Sequence, residues 1–343
     1  MTEPKPYPPS FLDRFMDFIQ RQRTPYWITY LCCLLLEVAL LHILAWVDGW
    51  MPIFTFNIII TVFPIWLWFP MIIMTYVDSV ALDALNSFRP LLKIDDDELN
   101  RLKYEFSTMP PRGVFLSGLF WGVNYLLLTY LGYQVFYVAY GLDTFLTVVI
   151  FITGLISYLT GSAVYYHSLR KLSLVNRTVR MAKQLNLFRL DPVYAFSRVT
   201  SLIGISWMFM LTLTLLTLPV RLVTGLGVAI LAVQIVLAIA AFILPLWFVH
   251  RRLEAEKIRL TSELNLRVES TIKLLHAALD DNKLENSSHF SDALTSLGAE
   301  REVLNAIPTW PWRTGTLTGF LSAIVLPIVI FLVQFAVEKW LGG

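Results

Sequence analysis

Seven runs of apolar residues, at about 26–47, 51–77, 114–134, 145–166, 202–222, 225–249 and 316–337, leave this chain few ways to fold. Each holds roughly 20 or more mostly apolar residues, the length needed to cross ~30 Å of hydrocarbon. Inside lipid every backbone N–H and C=O must find a partner within its own segment, so such runs become helices. The sequence therefore predicts an all-α polytopic bundle of seven transmembrane helices. Composition agrees: at 56% hydrophobic and 15% charged, the chain is excluded from the ordinary soluble globules. Eleven Trp suit a protein with two membrane–water interfaces to anchor.

Charge orients the bundle. Of the 27 Lys and Arg, only Arg221 and Lys339 lie outside 1–25, 78–112, 168–199 and 250–314. Loops rich in Lys and Arg stay on the cytoplasmic side, which places the N-terminus inside and the C-terminus outside. The expected organisation is a cytoplasmic segment 1–25, then transmembrane helices one to six over 26–249 with helical cytoplasmic loops at 78–112 and 168–199. A cytoplasmic helical hairpin at 250–313 and a last span with a short external tail at 314–343 complete it. The bacterial cytoplasmic membrane is the expected location. Residues 1–23 are polar and Pro-rich and lack the pattern of a cleaved signal, so the first span is expected to stay.

The hairpin projects. No Pro lies between Pro245 and Pro308 and no Gly between Gly227 and Gly298, so one helix can leave the membrane and continue into water. Its stripe of Leu253, Leu260, Leu264 and Leu275 is longer than the returning helix can cover. Either the other inner loops or other subunits cover the rest, and a homo-oligomer assembled through these residues is the favoured expectation. In loop 78–112, Asp95 is placed to cap a helix carrying Leu99, Leu102 and Phe106. Loop 168–199 is basic and amphipathic, suited either to a lipid surface or to packing beneath the bundle.

Glu37, in the middle of the first span, is the costliest side chain in the chain. Asn57, Asn124 and Gln234 lie at similar or more external depth, with His42 and Gln334 nearer the outer surface. They suggest a polar layer that either holds an ion or small-molecule ligand or fixes helix packing through a protonated Glu37. In the last span Gly315 and Gly319 make a small face, beside a hydroxyl stripe of Thr314, Thr318 and Ser322. Those hydroxyls either line a polar path or bond back to their own helix. Pro308, Trp310, Pro311 and Trp312 form either an anchored elbow that passes motion of the hairpin to the last span, or a plain interfacial turn. Gly118 and Gly122 mark a close helix approach. Nothing in the pattern points to a catalytic set, a metal, a cofactor or a nucleic-acid partner.

The order of parts resembles the insect olfactory and gustatory receptor channels: seven helices, inward N-terminus, outward C-terminus, and a cytoplasmic helical hairpin before a final span. The resemblance implies an oligomer joined through its inner helices, with the last helix lining a cation pore. It rests on topology; the Thr-Tyr and Cys signature of gustatory receptors is absent from 317–337, so no residue role is carried over. The stretch 188–198 resembles segments of bacterial membrane proteins and implies no activity. Three functions follow as expectations: an oligomeric ligand-gated cation channel, a non-conducting sensor or scaffold signalling through the hairpin, or a small-molecule transporter.

Overall fold

The computed structural model describes residues 5–133, 144–182, 187–188, 190–217, 225–280 and 287–341. Helices α1 to α11 run over Phe11–Gln20, Tyr26–Val47, Val62–Phe88, Asp96–Ser107, Pro111–Tyr133, Thr144–Gly161, Ala163–Met181, Asp191–Thr217, Gly225–Asp280, Ser287–Ala306 and Thr314–Leu341. Among the described residues there is no strand, and seven helical segments are long and apolar enough to cross a membrane. An all-helical integral membrane protein is what these helices fit.

The bundle is organised around α3 and α8, which pack along each other. Burial grades outward from there: 61% of α8's spanning stretch is covered by protein, against 11% of α11's. The largest buried cluster joins the charged-end halves of α3, α4, α7, α8 and α9 through Phe88, Phe106, Phe196, Val175 and Leu253. Leu174, Val175 and Val179 belong to it, so one face of the basic stretch on α7 packs into the core of the bundle.

Two starts differ from expectation. The second span begins at Val62, not near Met51. Pro52 and Pro64 interrupt the apolar run, and Phe54 takes a left-handed φ of 64°, so 51–57 folds back over the end of α2. There the Trp46 indole N–H donates to the Thr55 carbonyl at 2.9 Å. The helix α8 begins at Asp191, eleven residues before the apolar run does. The early start of α8 carries Asp191 and Arg198 into the helix, and α3, running on to Phe88, takes in Asp78 and Asp83.

Local signals did translate into structure. The Asp95 carboxylate accepts the Glu98 backbone N–H at 2.8 Å and caps α4. Gly118 and Gly122 let α5 approach α6 closely: a Cβ on Gly118 would sit 2.9 Å from the Leu159 carbonyl oxygen. The long helix α9 passes through Pro245 without a break; at ~1.5 Å per residue its 56 residues reach roughly 84 Å.

Candidate functional site

The most unusual chemistry lies where α3 meets α7. Asp78 on α3 is 9% exposed, and His167 and Lys171 on α7 are each 3% exposed. The Asp78 carboxylate bridges both: the His167 Nε2–H donates to Oδ1 at 2.7 Å, and the Lys171 ammonium is ion-paired to the same oxygen. Lys171 also sits 5.8 Å from the Phe106 ring centroid, and Ser168, one residue along, accepts the Trp207 indole N–H at 3.1 Å. With Asp78 and Lys171 charged and His167 neutral, the cluster has no net charge, the condition under which buried ionic groups are tolerated. His167 and Lys171 are four apart and so share a helix face, a signal present in the sequence. Asp78 escaped notice because it directly follows the apolar run and read as loop; α3 runs on to Phe88 and so includes it.

Around this cluster the N-terminal segment is pinned. Met16 and Ile19 of α1 pack with Met71, Met74 and Met109. Asp13 Oδ2 accepts the Ser10 N–H and the Met109 N–H, both at 2.9 Å. Burial holds the Asp13 carboxyl above the ordinary carboxylate range, against the opposing pull of the bonds from Ser10 and Met109. The Arg170 guanidinium donates to the Tyr7 hydroxyl and to the Glu105 carbonyl at 3.1 Å. Burial pushes the Tyr7 phenol up to about 12 despite the neighbouring Arg170. Arg177 completes the zone with an ion pair to Glu105 at 2.9 Å.

The elbow between α10 and α11 is a continuous aromatic ladder. Trp310 stacks on His250 at 4.0 Å and on Trp312 at 4.4 Å. Trp312 stacks on Phe242 at 5.2 Å, and Phe242 meets Phe320 of α11 at 4.4 Å. Pro311 is buried within it and Pro308 is exposed. Lys257 Nζ donates to the carbonyls of Asn305 and Ile307, at 2.9 and 2.7 Å, tying the end of α10 to α9. Arg313 pairs with Asp191 at the start of α8 at 2.5 Å. The four elbow residues thus sit in an anchored joint between α9, α10 and α11.

The outer polar residues do not gather around one point. Glu37 Oε2 accepts the Trp68 indole N–H at 2.5 Å across the α2–α3 interface. Gln234 is hydrogen-bonded to Tyr165 of α7. Asn57 lies in the non-helical stretch after α2, where its backbone N–H donates to His42 Nε2 at 3.2 Å. His42 in turn donates from Nδ1 to the Val38 carbonyl at 2.8 Å and stacks on Phe56. Asn124 is half-buried on α5. Glu37 and Gln234 thus spend their bonds at separate helix–helix contacts.

On α11, Phe320 is buried and Gln334 donates to the Leu215 carbonyl at 3.1 Å, fixing the face held by α8. At ~100° per residue, Gly315, Thr318, Ser322 and Val329 lie within about 40° of the opposite line. All are exposed in the protomer, as are the flanking Thr314 and Gly319; a Cβ on either glycine would meet nothing within 4 Å. The Thr318 hydroxyl bonds back to the Thr314 carbonyl at 2.9 Å.

The assembly stripe needs correction. Leu253 and Leu264 are 0% and 2% exposed, and Leu260 is partly buried against the main core. The inner helices and α10 cover that face within one chain, the alternative that length alone did not favour. Leu275 remains half-exposed. A different line is free: Ile258, Asn265, Ile272 and Leu279, seven apart, are all exposed, with Thr261, Val268 and Leu275 beside them at half-exposure. Ile258 and Asn265 line a groove of about 450 Å³, with Thr309 of the elbow also on its wall.

No protein-family description, curated protein or solved structure matches the chain.

Proposed function

We propose that the chain is a homo-oligomeric cation channel of the bacterial cytoplasmic membrane, assembled through α9 and conducting along α11. The observation that carries the proposal is the free seam on α9. Its positions alternate three and four apart, as in a coiled coil, with Asn265 as the one polar residue on a line otherwise held by Ile and Leu. The concentration of 25 of the 27 basic residues in 1–25, 78–112, 168–199 and 250–314 supports a cytoplasmic, water-facing position for that half of α9. There, unlike in lipid, Ile258 at 64% and Leu279 at 46% exposure gain from being covered. The glycine–hydroxyl face of α11, turned away from its own protomer, supports the second half of the reading: subunits joined along α9 bring those faces towards a shared axis.

The aromatic ladder favours a second reading, a non-conducting sensor in which the inner helices and α11 move as one body about the elbow. The channel reading requires assembly; the sensor reading does not. Light scattering of protein purified in mild detergent is expected to give a mass several times 39.4 kDa. The triple variant Ile258→Ser, Ile272→Ser, Leu279→Ser is expected to run as a folded monomer. A wild-type protein that is monomeric across a concentration series contradicts the proposal.

A further inference from the structure

A groove of about 420 Å³ opens between the charged-end turns of α3, the start of α8 and the start of α11. Val80, Ala84 and Ala195 give it an apolar floor, and its rim carries Asp83, Asp191, Arg198 and Arg313. Two of these charges are satisfied by each other: Arg313 pairs with Asp191, with both side chains mostly exposed. Asp83 and Arg198 form no ion pair among the described residues, although they line the same groove. The groove thus offers a free carboxylate, a free guanidinium and a second guanidinium that lies over the Tyr194 ring at 5.7 Å and whose ion pair is exposed, a kind worth roughly 0–1 kcal/mol to its protein. It lies beside the Trp310–Trp312 elbow, the depth at which aromatic belts meet headgroups.

We propose that this groove binds a phospholipid headgroup carrying both a phosphate and a primary ammonium, that is, a phosphoethanolamine headgroup from the adjacent leaflet. The phosphate takes Arg198 and Arg313, whose planar forks fit phosphate oxygens. The ammonium donates to Asp83, and the glycerol end of the lipid rests on the apolar floor. An anionic lipid without an amine leaves Asp83 facing negative charge. A choline headgroup carries the positive charge but has no N–H to donate. Because Arg313 is the tether between the elbow and α8, an occupied groove holds the base of α11 in place. Binding itself does not depend on whether the protein conducts, so the test separates the two proposals.

The experiment is native mass spectrometry of the full chain, stripped of bulk lipid and titrated with phosphatidylethanolamine, phosphatidylglycerol and phosphatidylcholine of identical acyl chains. Wild type is expected to retain the ethanolamine lipid about tenfold more tightly than either other lipid, in line with the loss of one charge-assisted hydrogen bond. Asp83→Asn is expected to bring ethanolamine binding down to the choline level without weakening glycerol-lipid binding. Arg198→Gln is expected to weaken all three. Both positions are exposed, so both variants should fold. Equal retention of the three lipids by wild type, or an unchanged ethanolamine preference in Asp83→Asn, overturns the proposal. Soluble O-phosphoethanolamine is the second arm. If it raises the melting temperature at the concentrations at which the lipid does, the site binds a free zwitterion and the lipid source is overturned. If it does nothing there, the lipid source stands.

Discussion

Lys171→Met is expected to destabilise the protein by about 3–5 kcal/mol, more than any other single change of a polar side chain. The lysine and Asp78 are both almost wholly buried. Removing the ammonium leaves the Asp78 carboxylate in a low-dielectric site with only the His167 N–H to satisfy it. The partner change relieves most of this: Asp78→Asn combined with Lys171→Met removes both charges and is expected to recover most of the loss, because no uncompensated buried charge remains and the Asn carbonyl can still accept the His167 N–H. The effect of the double variant should therefore fall well short of the sum of the two single ones. Thermal unfolding in one detergent, over the four proteins of the cycle, reads this directly. A Lys171→Met protein within about 1 kcal/mol of wild type shows that water reaches the cluster and that its burial is not energetic.

Gly161→Ala is expected to separate α6 from α3. A Cβ at Gly161 would lie 1.9 Å from the Trp66 carbonyl oxygen and 3.0 Å from its carbon. The atoms in the way are backbone, so no side chain can turn aside. The contact has a sequence cause. Pro70 stands four residues after Trp66 inside α3 and has no N–H to give that carbonyl. A bare helix backbone can come up to the freed oxygen, and only glycine presents one. Opening the contact strains a further link between the same elements, Ser157 Oγ to the Phe63 carbonyl at 2.8 Å. Overpacking of this kind costs about 1–3 kcal/mol, and Gly161→Val should cost more than Gly161→Ala. A fall in melting temperature in that order is the expected result; equal stability of all three proteins contradicts the close approach.

Both predictions rest on contacts between distant parts of the chain, and that is where the sequence stopped being legible. The spans were readable because lipid forces apolar runs into helices whatever their neighbours. The Asp95 cap and the Gly118–Gly122 approach were readable because each is a local rule. Asp78 and His167 are 89 residues apart, and no local pattern pairs them, although His167 and Lys171 on one helix face were a usable hint. The start of α3 was misplaced because Pro52 and Pro64 count as apolar in a hydropathy run, while Pro52 lies outside any helix and Pro64 sits in the first turn of α3. The assembly stripe failed for a packing reason. Leu253, Leu260 and Leu264 face the rest of the chain, which covers them itself. The line of Ile258, Asn265, Ile272 and Leu279 is what the chain leaves exposed. The Glu37 layer dissolved similarly, since Trp68 and Tyr165, rather than the other layer residues, supplied partners to Glu37 and Gln234.

The central claim is that subunits joined along α9 conduct cations past the Gly315, Thr318 and Ser322 face of α11. Single-channel recording of purified, assembled protein in a planar bilayer tests it most directly. The account predicts discrete cation-selective current steps that shrink or vanish when Thr318 and Ser322 are both replaced by Leu. Silent bilayers containing protein shown to be oligomeric would contradict it.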